Sequence, residues 1–207
     1  MVENITWLGH SAFKLTGEKI VYIDPFQLQG SLEKADILLI THSHYDHCSL
    51  QDIQKITTSD TNIFITPDCQ SKLRDVKGKI KLVEPNKKYS VNGILIETVP
   101  AYNINKNFHP KENEWVGYIV TINNKRIYHA GDTDLIPEMK NIKCDIALVP
   151  VSGTYVMDAR EAAELVNIIK PKLAIPAHYG SIIGSKEDAI KFKNLTENYC
   201  KVEILSK

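Results

Sequence analysis

The sequence predicts a layered α/β protein, in which short buried strands alternate with helices. One observation is a series of brief apolar runs, such as residues 35–40 and 145–149, that are rich in branched side chains and too short for helices. A second is a helix-opening capping pattern, Asp158-Ala159-Arg160-Glu161, between two such runs. A third is that histidine or aspartate follows several runs, at the strand ends where sites of α/β proteins gather.

The N-terminal segment predicts an antiparallel meander of three strands. Turn-forming Gly9-His10-Ser11 and Thr16-Gly17-Glu18 divide its β-prone pieces. These pieces cover residues 5–8, 12–15 and 20–23.

Two polar residues of this segment occupy positions where a side chain can be held rigidly. His10 lies at the glycine turn, and Asp24 precedes Pro25 at a strand end. Two interpretations of His10 fit the sequence: a turn residue bonded to the backbone, or a contact to a metal ligand or the substrate.

The middle of the chain continues with strands and helices in alternation. Ser49 and Asp52 form a capping pattern that opens a helix over residues 50–57, and Thr66-Pro67-Asp68 predicts the start of a second helix. Asn92-Gly93 is the strongest hairpin signal, because this pair accepts the positive φ angles of a type I′ turn. The strands predicted around these features cover residues 62–66, 80–84, 88–91 and 94–96.

The second half predicts further strands after a long loop. Residues 101–115 are polar and loop-like, and loops of this length often cover a site. A hairpin over residues 116–129 turns at Asn123-Asn124, and two capped helices open at Asp158 and Ser185. The remaining predicted elements are a short helix at residues 134–140 and strands at 145–149, 173–177 and 202–205.

Length and charge limit the classes of protein that fit. A chain of 207 residues suits one domain spanning residues 1–207. Lys plus Arg equals Asp plus Glu at 25 each, so no overall basic field would gather nucleic acid. The apolar runs are too short to cross a bilayer and the first residues lack a signal segment, so we expect a cytoplasmic protein without a membrane partner.

The cysteines do not form a recognisable framework. Cys48, Cys69, Cys144 and Cys200 are irregularly spaced and include no C-x-x-C pair. This spacing predicts neither a disulfide framework nor a zinc–cysteine knuckle, and we interpret most of them as small buried hydrophobic residues. Cys48 directly follows His47, so an extra thiolate ligand at this position stays an alternative.

Residues 41–50, T-H-S-H-Y-D-H-C-S-L, concentrate three imidazoles and a carboxylate. His42 and His44 are two positions apart, so on an extended backbone they point the same way and can hold one ion. Asp46 and His47 are adjacent and diverge, so a turn after His44 could aim this pair at another ion. The pattern predicts a site for one or two divalent cations.

Two later residues can join this loop, which we call the histidine loop. Asp132 follows the strand that ends near residue 129, and His178 follows the strand at residues 173–177. Because a rigid sheet brings strand ends together from distant parts of a sequence, we expect both side chains to converge on the histidine loop.

The chain resembles the metallo-β-lactamase superfamily. H-S-H-Y-D-H at residues 42–47 resembles its HxHxDH signature, and residues 5–11 with 22–25 are similar to its UlaG-like branch. Residues 129–133 and 176–180 match the later motifs in the expected order. The resemblance implies a four-layer αββα sandwich.

The resemblance also implies roles for individual residues. His42 and His44 would hold the first ion, and Asp46, His47 and His178 the second. Asp132 would bridge both ions.

The sequence departs from the family at one position. A histidine that the family usually supplies after a mid-chain strand is replaced by Tyr102. His109, on the polar loop, is the candidate replacement, although Pro110 restricts its backbone; its other interpretation is a contact to a ligand or the substrate. Without a replacement, a single ion on the second set of ligands could suffice. His129 could face the site or pack beneath it.

The activity implied by the resemblance is metal-dependent hydrolysis. A metal-activated hydroxide, oriented or deprotonated by Asp46, would attack a small ester, lactone or phosphodiester. Histidine and aspartate ligands suit zinc, manganese, iron or nickel. The expected partner is a small molecule, which is phosphorylated in one version of the hypothesis, and assembly into a homo-oligomer is left open.

Two other functions fit the same motif. One is a nuclease of the same fold, which the zero net charge disfavours. The other is a metal-bound sensor or scaffold that has lost turnover through the change at Tyr102. The candidates for binding an anionic group are Ser152, Thr154, Tyr179 and Ser181, although their simpler interpretation is that of turn residues.

Overall fold

The computed structural model describes residues 3–207, and its first six strands pair in their order along the chain. The first three form the predicted antiparallel meander, and the third to the sixth are parallel. These strands are β1 (Ile5–Gly9), β2 (Ala12–Thr16), β3 (Ile20–Ile23), β4 (Ile37–Leu39), β5 (Asn62–Ile65) and β6 (Lys79–Leu82).

The second sheet follows the same scheme as the first. Its first four strands are antiparallel neighbours, and the fourth to the seventh are parallel. The predicted hairpin turn at Asn92-Gly93 joins its first two strands. The strands are β7 (Lys88–Val91), β8 (Ile94–Pro100), β9 (Val116–Ile122), β10 (Lys125–His129), β11 (Ile146–Pro150), β12 (Leu173–Ala177) and β13 (Lys201–Val202).

Three α-helices occur in the described residues: α1 (Leu50–Ile56), α2 (Ala159–Ile169) and α3 (Lys186–Thr196). The capping box predicted for α2 is present. The Asp158 carboxylate accepts a hydrogen bond from the Glu161 backbone N–H, and the Glu161 carboxylate accepts one from the Asp158 N–H, each at 2.9 Å. At α3, the Asp188 carboxylate accepts from the Ser185 N–H at 2.8 Å.

Side chains of the central strands alternate between the two faces of each sheet, and this alternation divides the core into three apolar clusters. In β4, Ile37 and Leu39 face the second sheet, whereas Leu38 packs with the residues around α1. In β11, Leu148 faces the first sheet, and Val149 packs with α2 and α3. The layers therefore run from α1 through the two sheets to α2 and α3, which confirms the predicted four-layer αββα sandwich.

Two of the predicted helices are short 3₁₀ turns instead. The segment that opens at Thr66 forms a 3₁₀ turn over Pro67–Cys69, followed by further turns whose hydrogen bonds also span three residues. Its Asp68 carboxylate accepts a hydrogen bond from Trp115 Nε1 at 2.7 Å, a tertiary contact that local sequence does not specify. The helix predicted at residues 134–140 is a 3₁₀ turn over Pro137–Asn141. The final strand, β13, ends at Val202, before the predicted boundary at residue 205.

Parallel strands of both sheets direct their carboxyl ends to one shared rim. Asp24 after β3 contacts Thr41 after β4, and His178 after β12 contacts both Asp132 after β10 and Ser152 after β11. The sandwich thus brings together residues that lie far apart in sequence. Between residues 3 and 207, the chain forms no helix of the length and apolar character that a membrane span requires.

Candidate metal centre

The histidine loop leaves β4 and turns after His44, as the sequence predicts. The backbone N–H groups of His47 and Cys48 donate to the His44 carbonyl at 3.1 and 2.8 Å. This turn separates the loop into two pairs of side chains. His42 and His44 share one group of candidate ligands, Asp46 and His47 share another, and His42 and His47 also lie together with Asp132.

Two groups of side chains gather around these pairs. His42 and His44 are joined by His109, and their ligand atoms lie within 4.8 Å of one another. Within the same limit, Asp46 and His47 are joined by two histidines from distant strand ends, His10 and His178. We call His42, His44 and His109 the first histidine group, and Asp46, His47 and His178 the second; His10 lies beside the second group.

Asp132 lies between the two groups and contacts both. Its Oδ2 is 3.2 Å from Nε2 of His109 in the first group and 3.1 Å from Nε2 of His178 in the second. Its Oδ1 is 3.3 Å from Nε2 of His47. One carboxylate thus contacts histidines of both groups, and its role as a bridging ligand stays a prediction.

Gly131 brings Asp132 into this position. It has a φ of +67°, and a Cβ atom there would lie 3.0 Å from the Val116 carbonyl oxygen. A side chain at residue 131 would be strained in backbone conformation and crowded by β9.

Hydrogen bonds orient His42 and His47 toward the centre. Thr41 Oγ1 donates to Asp24 Oδ2 at 2.7 Å, so it can only accept at the 2.9 Å contact with Nδ1 of His42. His47 Nδ1 lies 2.8 Å from Asp24 Oδ2 and donates to this carboxylate. In both rings Nδ1 is therefore the donor and Nε2 is the atom that faces the centre, and Asp24 is the buried carboxylate that fixes them.

The polar loop presents His109 in the same way. His109 Nδ1 lies 3.0 Å from Oδ1 of Asn103 and 3.2 Å from the carbonyl oxygen of Tyr155. Because both of these atoms are acceptors, Nδ1 carries the hydrogen and Nε2 is free to bind an ion. The Asn103 amide is itself fixed, because its Nδ2 donates to Asp134 Oδ1 at 3.0 Å.

His10 and Ser152 support the second histidine group. His10 Nε2 lies 3.0 Å from Asp46 Oδ2, and the Ser152 hydroxyl lies 2.9 Å from Nδ1 of His178. The His10 carbonyl also accepts the His178 backbone N–H at 2.9 Å. His10 thus contacts a predicted ligand, which is one of the two roles open to it from sequence, and Ser152 contacts His178.

The chemistry of these side chains fits divalent cations. Buried atoms without a hydrogen-bond partner include Nε2 of His42, His47 and His109, and Oδ1 of Asp132. Such orphaned donors and acceptors are costly in a folded protein unless a group outside the chain satisfies them. Nitrogen and carboxylate oxygen donors in this number suit one or two transition-metal ions.

Electrostatics also favours a cation. Burial would raise the pKa of Asp132, but the imidazoles of His178 and His47 outweigh burial and hold this pKa well below its usual range. Burial would likewise raise the pKa of Asp46, and hydrogen bonds from His10 and His47 hold it well below. Both carboxyl groups are therefore ionised and buried, so a positive charge between them is stabilising.

The remaining sequence candidates lie outside the centre. His129 packs beneath it, with Nε2 2.9 Å from the Ser11 carbonyl oxygen and Nδ1 accepting the Gly131 N–H at 3.1 Å. The Tyr102 hydroxyl donates to the Glu138 carboxylate at 2.9 Å, and its ring packs in the cluster around α2. Cys48 is buried in the apolar cluster around α1, in keeping with the simpler interpretation of this residue.

A cavity of about 240 Å³ opens over the two histidine groups. Metal-centre side chains form its floor, and large apolar side chains form much of its wall. The lining residues are His44, Tyr45, Asp46, Phe108, His109, Asp132, Tyr155, His178 and Ile182.

The chain is similar to a family of known hydrolases along most of its length. The profile of the beta-lactamase superfamily domain matches residues 4–178. A UPF0173 metal-dependent hydrolase of Caldivirga maquilingensis is 33% identical over 94% of this chain and 89% of its own. One from Thermococcus kodakarensis is 31% identical over 97% and 95%.

Solved structures agree with the sequence comparisons. A Parabacteroides distasonis protein that is named a metal-dependent hydrolase has a TM-score of 0.85 at 35% identity, covering 97% of this chain and 91% of its own. Igni18, a metallo hydrolase from Ignicoccus hospitalis, has a TM-score of 0.80 at 25% identity, covering 98% and 94%. The UlaG-like branch stays a prediction. The chain belongs to the beta-lactamase superfamily and, within it, to the metal-dependent hydrolases.

Proposed function

We propose that this protein hydrolyses a small ester, lactone or phosphodiester with two divalent ions held by the two histidine groups. The observation that carries the proposal is the position of Asp132, whose carboxylate contacts His109 of one group and His47 and His178 of the other. In this assignment His42, His44 and His109 would hold the first ion, and Asp46, His47 and His178 would hold the second. Asp132 would be the ligand shared by both.

Divalent ions at such a centre supply Lewis acidity and lower the pKa of water from 15.7 to about 7, so that a nucleophile forms at neutral pH. The chain's own residues hold and orient the reacting groups. Asp46 lines the cavity, and its side chain is 12% exposed, so it can reach a substrate or a water. Because its carboxylate is ionised, Asp46 would accept a hydrogen bond from the attacking water and so orient it toward the substrate.

His10 is a positioning residue for Asp46 in this proposal. Its Nε2 contacts Asp46 Oδ2 at 3.0 Å, and its ring is buried against that of His178, with ring centroids 4.0 Å apart. Held in this way, Asp46 keeps one oxygen directed toward His10 and the other available to the centre.

The alternatives receive less support. A non-catalytic sensor or scaffold was motivated by Tyr102, but His109 lies beside His42 and His44 where a third histidine is needed. A nuclease would require cationic side chains along the mouth of the site, and no lysine or arginine is among the residues that line the cavity.

The test combines elemental analysis with activity. Purified wild-type protein, His42→Ala and Asp132→Ala are analysed for zinc, manganese, iron and nickel, and each is assayed on panels of esters, lactones and phosphodiesters. We expect Asp132→Ala to lose metal and turnover together, because it removes the carboxylate shared by both groups. Exposed Asp75, which lies away from the cavity lining, provides the matched control Asp75→Ala.

Two results would contradict the proposal. One is full turnover in Asp132→Ala under conditions in which Asp75→Ala resembles the wild type. The other is stoichiometric metal in the wild type without hydrolysis of any substrate in the panels, which would favour the sensor or scaffold.

A further inference from the structure

We propose that the cavity over the metal centre binds an uncharged apolar group, so that the substrate is a neutral ester or lactone with a small alkyl or aryl substituent and not a phosphodiester. This inference rests on the proposed function and narrows its substrate class. The observations behind it are the apolar wall of the cavity, the fixed position of that wall relative to the metal centre, and the charges that surround it.

The wall exposes apolar side chains that a folded protein ordinarily buries. Tyr45, Phe108 and Ile182 are 63%, 48% and 39% exposed, and Tyr155 beside them is half-buried. A cluster of large apolar side chains around one concave site marks a surface that is covered in the functional state. These four residues share the cavity with Asp46 and Asp132. The apolar group that covers them and the bond that is hydrolysed therefore belong to the same small molecule.

The wall is held in a fixed relation to the metal centre. Phe108 and Tyr155 pack edge to face, with ring centroids 4.6 Å apart and an interplanar angle of 83°. The Tyr155 carbonyl oxygen accepts hydrogen bonds from Asn103 Nδ2 at 3.0 Å and from His109 Nδ1 at 3.2 Å. His109 is therefore connected to both aromatic residues, to Phe108 by the chain and to Tyr155 by a hydrogen bond. A substituent seated there would hold its carbonyl at a defined place over the centre.

The charges around the cavity disfavour an anionic substrate. Phosphoryl groups are recognised by arginine and lysine side chains that contact several oxygens at once, and the cavity lining contains neither residue. Two lysines of the flanking loops are engaged elsewhere. Lys106 pairs with the Asp134 carboxylate, and Lys72 donates to the Ser43 carbonyl. Phosphodiester oxygens that do not contact the metal-centre side chains at the floor of the cavity would therefore face its apolar wall and have no hydrogen-bond donor.

The size of the cavity sets a further limit. Its volume of about 240 Å³ is below the range of about 300–1,000 Å³ that is typical of sites for drug-sized ligands. This space suits one ring or a short alkyl chain beside the reacting carbonyl.

The test uses substrates that share one leaving group and differ in charge. Metal-loaded protein is assayed with p-nitrophenyl butyrate, p-nitrophenyl hemisuccinate and bis(p-nitrophenyl) phosphate. We expect kcat/KM for the butyrate to exceed the values for both anionic substrates at least tenfold. We also expect Phe108→Ala to lower the butyrate value about tenfold, from the loss of several methylene equivalents of apolar contact, with Phe108→Leu restoring most of it. Tyr199→Ala, an exposed aromatic residue that does not line the cavity, is the control.

Binding without turnover separates this inference from the proposed function. The probe is 4-phenylbutan-2-one, a neutral ketone that cannot be hydrolysed, and its affinity is measured by calorimetry on the wild type, Phe108→Ala and Tyr199→Ala. We expect at least fivefold weaker binding to Phe108→Ala alone. Ketone binding of this pattern in a protein that hydrolyses no substrate would sustain the apolar site and refute the proposed function. Equal or faster hydrolysis of either anionic substrate, or ketone binding that is absent or indifferent to Phe108→Ala, would overturn the inference.

Discussion

The Nε2 atom of His109 lies 3.2 Å from Oδ2 of Asp132, so a side chain of the polar loop meets the carboxylate that follows β10. This contact explains how the centre tolerates Tyr102 where the family usually has histidine. The loop carries a histidine seven positions later and places it beside His42 and His44, while Tyr102 packs away from the centre on Glu138. The first histidine group thus depends on the loop as well as on the sheet.

Removing the His109 imidazole is expected to empty one of the two metal positions. His109→Ala takes one nitrogen from the first histidine group and leaves the second intact, so metal content should fall from about two equivalents to about one. Elemental analysis after dialysis measures the change. Tyr102→Phe, which removes only the hydroxyl bonded to Glu138, should keep both equivalents. Unchanged metal content in His109→Ala would remove this residue from the ligand set.

The Asn103 amide is expected to control metal affinity through His109. Asn103→Ala removes the acceptor at 3.0 Å from His109 Nδ1, and loss of such a partner typically weakens metal binding about 10–100-fold. Competition with a chelator gives the affinity of each position. Asn105→Ala is the matched control, because its side chain is exposed on the same loop. Equal weakening by both variants would point to a general loosening of the loop.

Asp24 is expected to act in the same way on the second histidine group. Its carboxylate accepts from His47 Nδ1 at 2.8 Å and from the Thr41 backbone N–H at 2.8 Å. Asp24→Asn should weaken metal binding at least tenfold and lower stability, because the buried amide cannot accept all of these hydrogen bonds. Asp60→Asn, at a carboxylate that is 91% exposed, should change neither quantity. Wild-type affinity in Asp24→Asn would show that His47 needs no carboxylate partner.

His129 is expected to matter for stability and not for metal. His129→Ala breaks buried hydrogen bonds to the Ser11 carbonyl and the Gly131 N–H and leaves a cavity beside Phe13. The free energy of unfolding should therefore fall by about 3 kcal/mol. Urea denaturation measures the loss. The purified variant should still bind the wild-type number of metal equivalents, in contrast to His109→Ala. A lower metal content would mean that His129 faces the centre after all.

The buried Asp52 carboxylate is expected to make stability depend on acid. Burial would raise its pKa, but hydrogen bonds from Lys55, Ser49 and the backbone N–H groups of Leu28 and Gln27 outweigh burial and lower it. A carboxyl group with a lowered folded-state pKa stabilises the fold above its unfolded value of about 3.9, and this contribution is lost as pH falls through the folded-state pKa.

Asp52→Asn should therefore cost about 2 kcal/mol at pH 7, where the charge-assisted hydrogen bonds are complete, and progressively less below about pH 4. The free energy of unfolding is measured by urea denaturation at pH 7 and below about pH 4. Both wild type and variant are treated with a chelator, so that loss of metal does not contribute to the difference between them. Glu112→Gln, at an exposed residue, serves as the control. A cost that stays constant with pH would mean that the ionised carboxylate contributes nothing.

Local sequence was sufficient for the elements whose signals are themselves local. The Asn92-Gly93 turn, the capping box between Asp158 and Glu161, and the alternation of Ile37, Leu38 and Leu39 all appear in the structure as the residues predict. Each depends on backbone geometry or side-chain period within a few residues. The segment that opens at Thr66 was predicted as a helix, and the structure has a 3₁₀ turn there; the contact of its Asp68 side chain with Trp115, far along the chain, is one that local sequence does not specify.

The sequence by itself determined that a cation-binding loop follows β4 and that Asp132 and His178 follow later strands. Both the type of each side chain and its place after an apolar run can be read directly from the order of residues. Only the tertiary structure decided that His109 completes the first histidine group, that His129 packs beneath it, and that Ser152 supports His178. The physical reason is that the hydrogen-bond partner of one ring nitrogen decides where the other ring nitrogen points, and so whether a histidine can serve as a ligand. For His109 and His129 such a partner is a backbone carbonyl oxygen from another segment, that of Tyr155 or Ser11, which packing alone brings into reach.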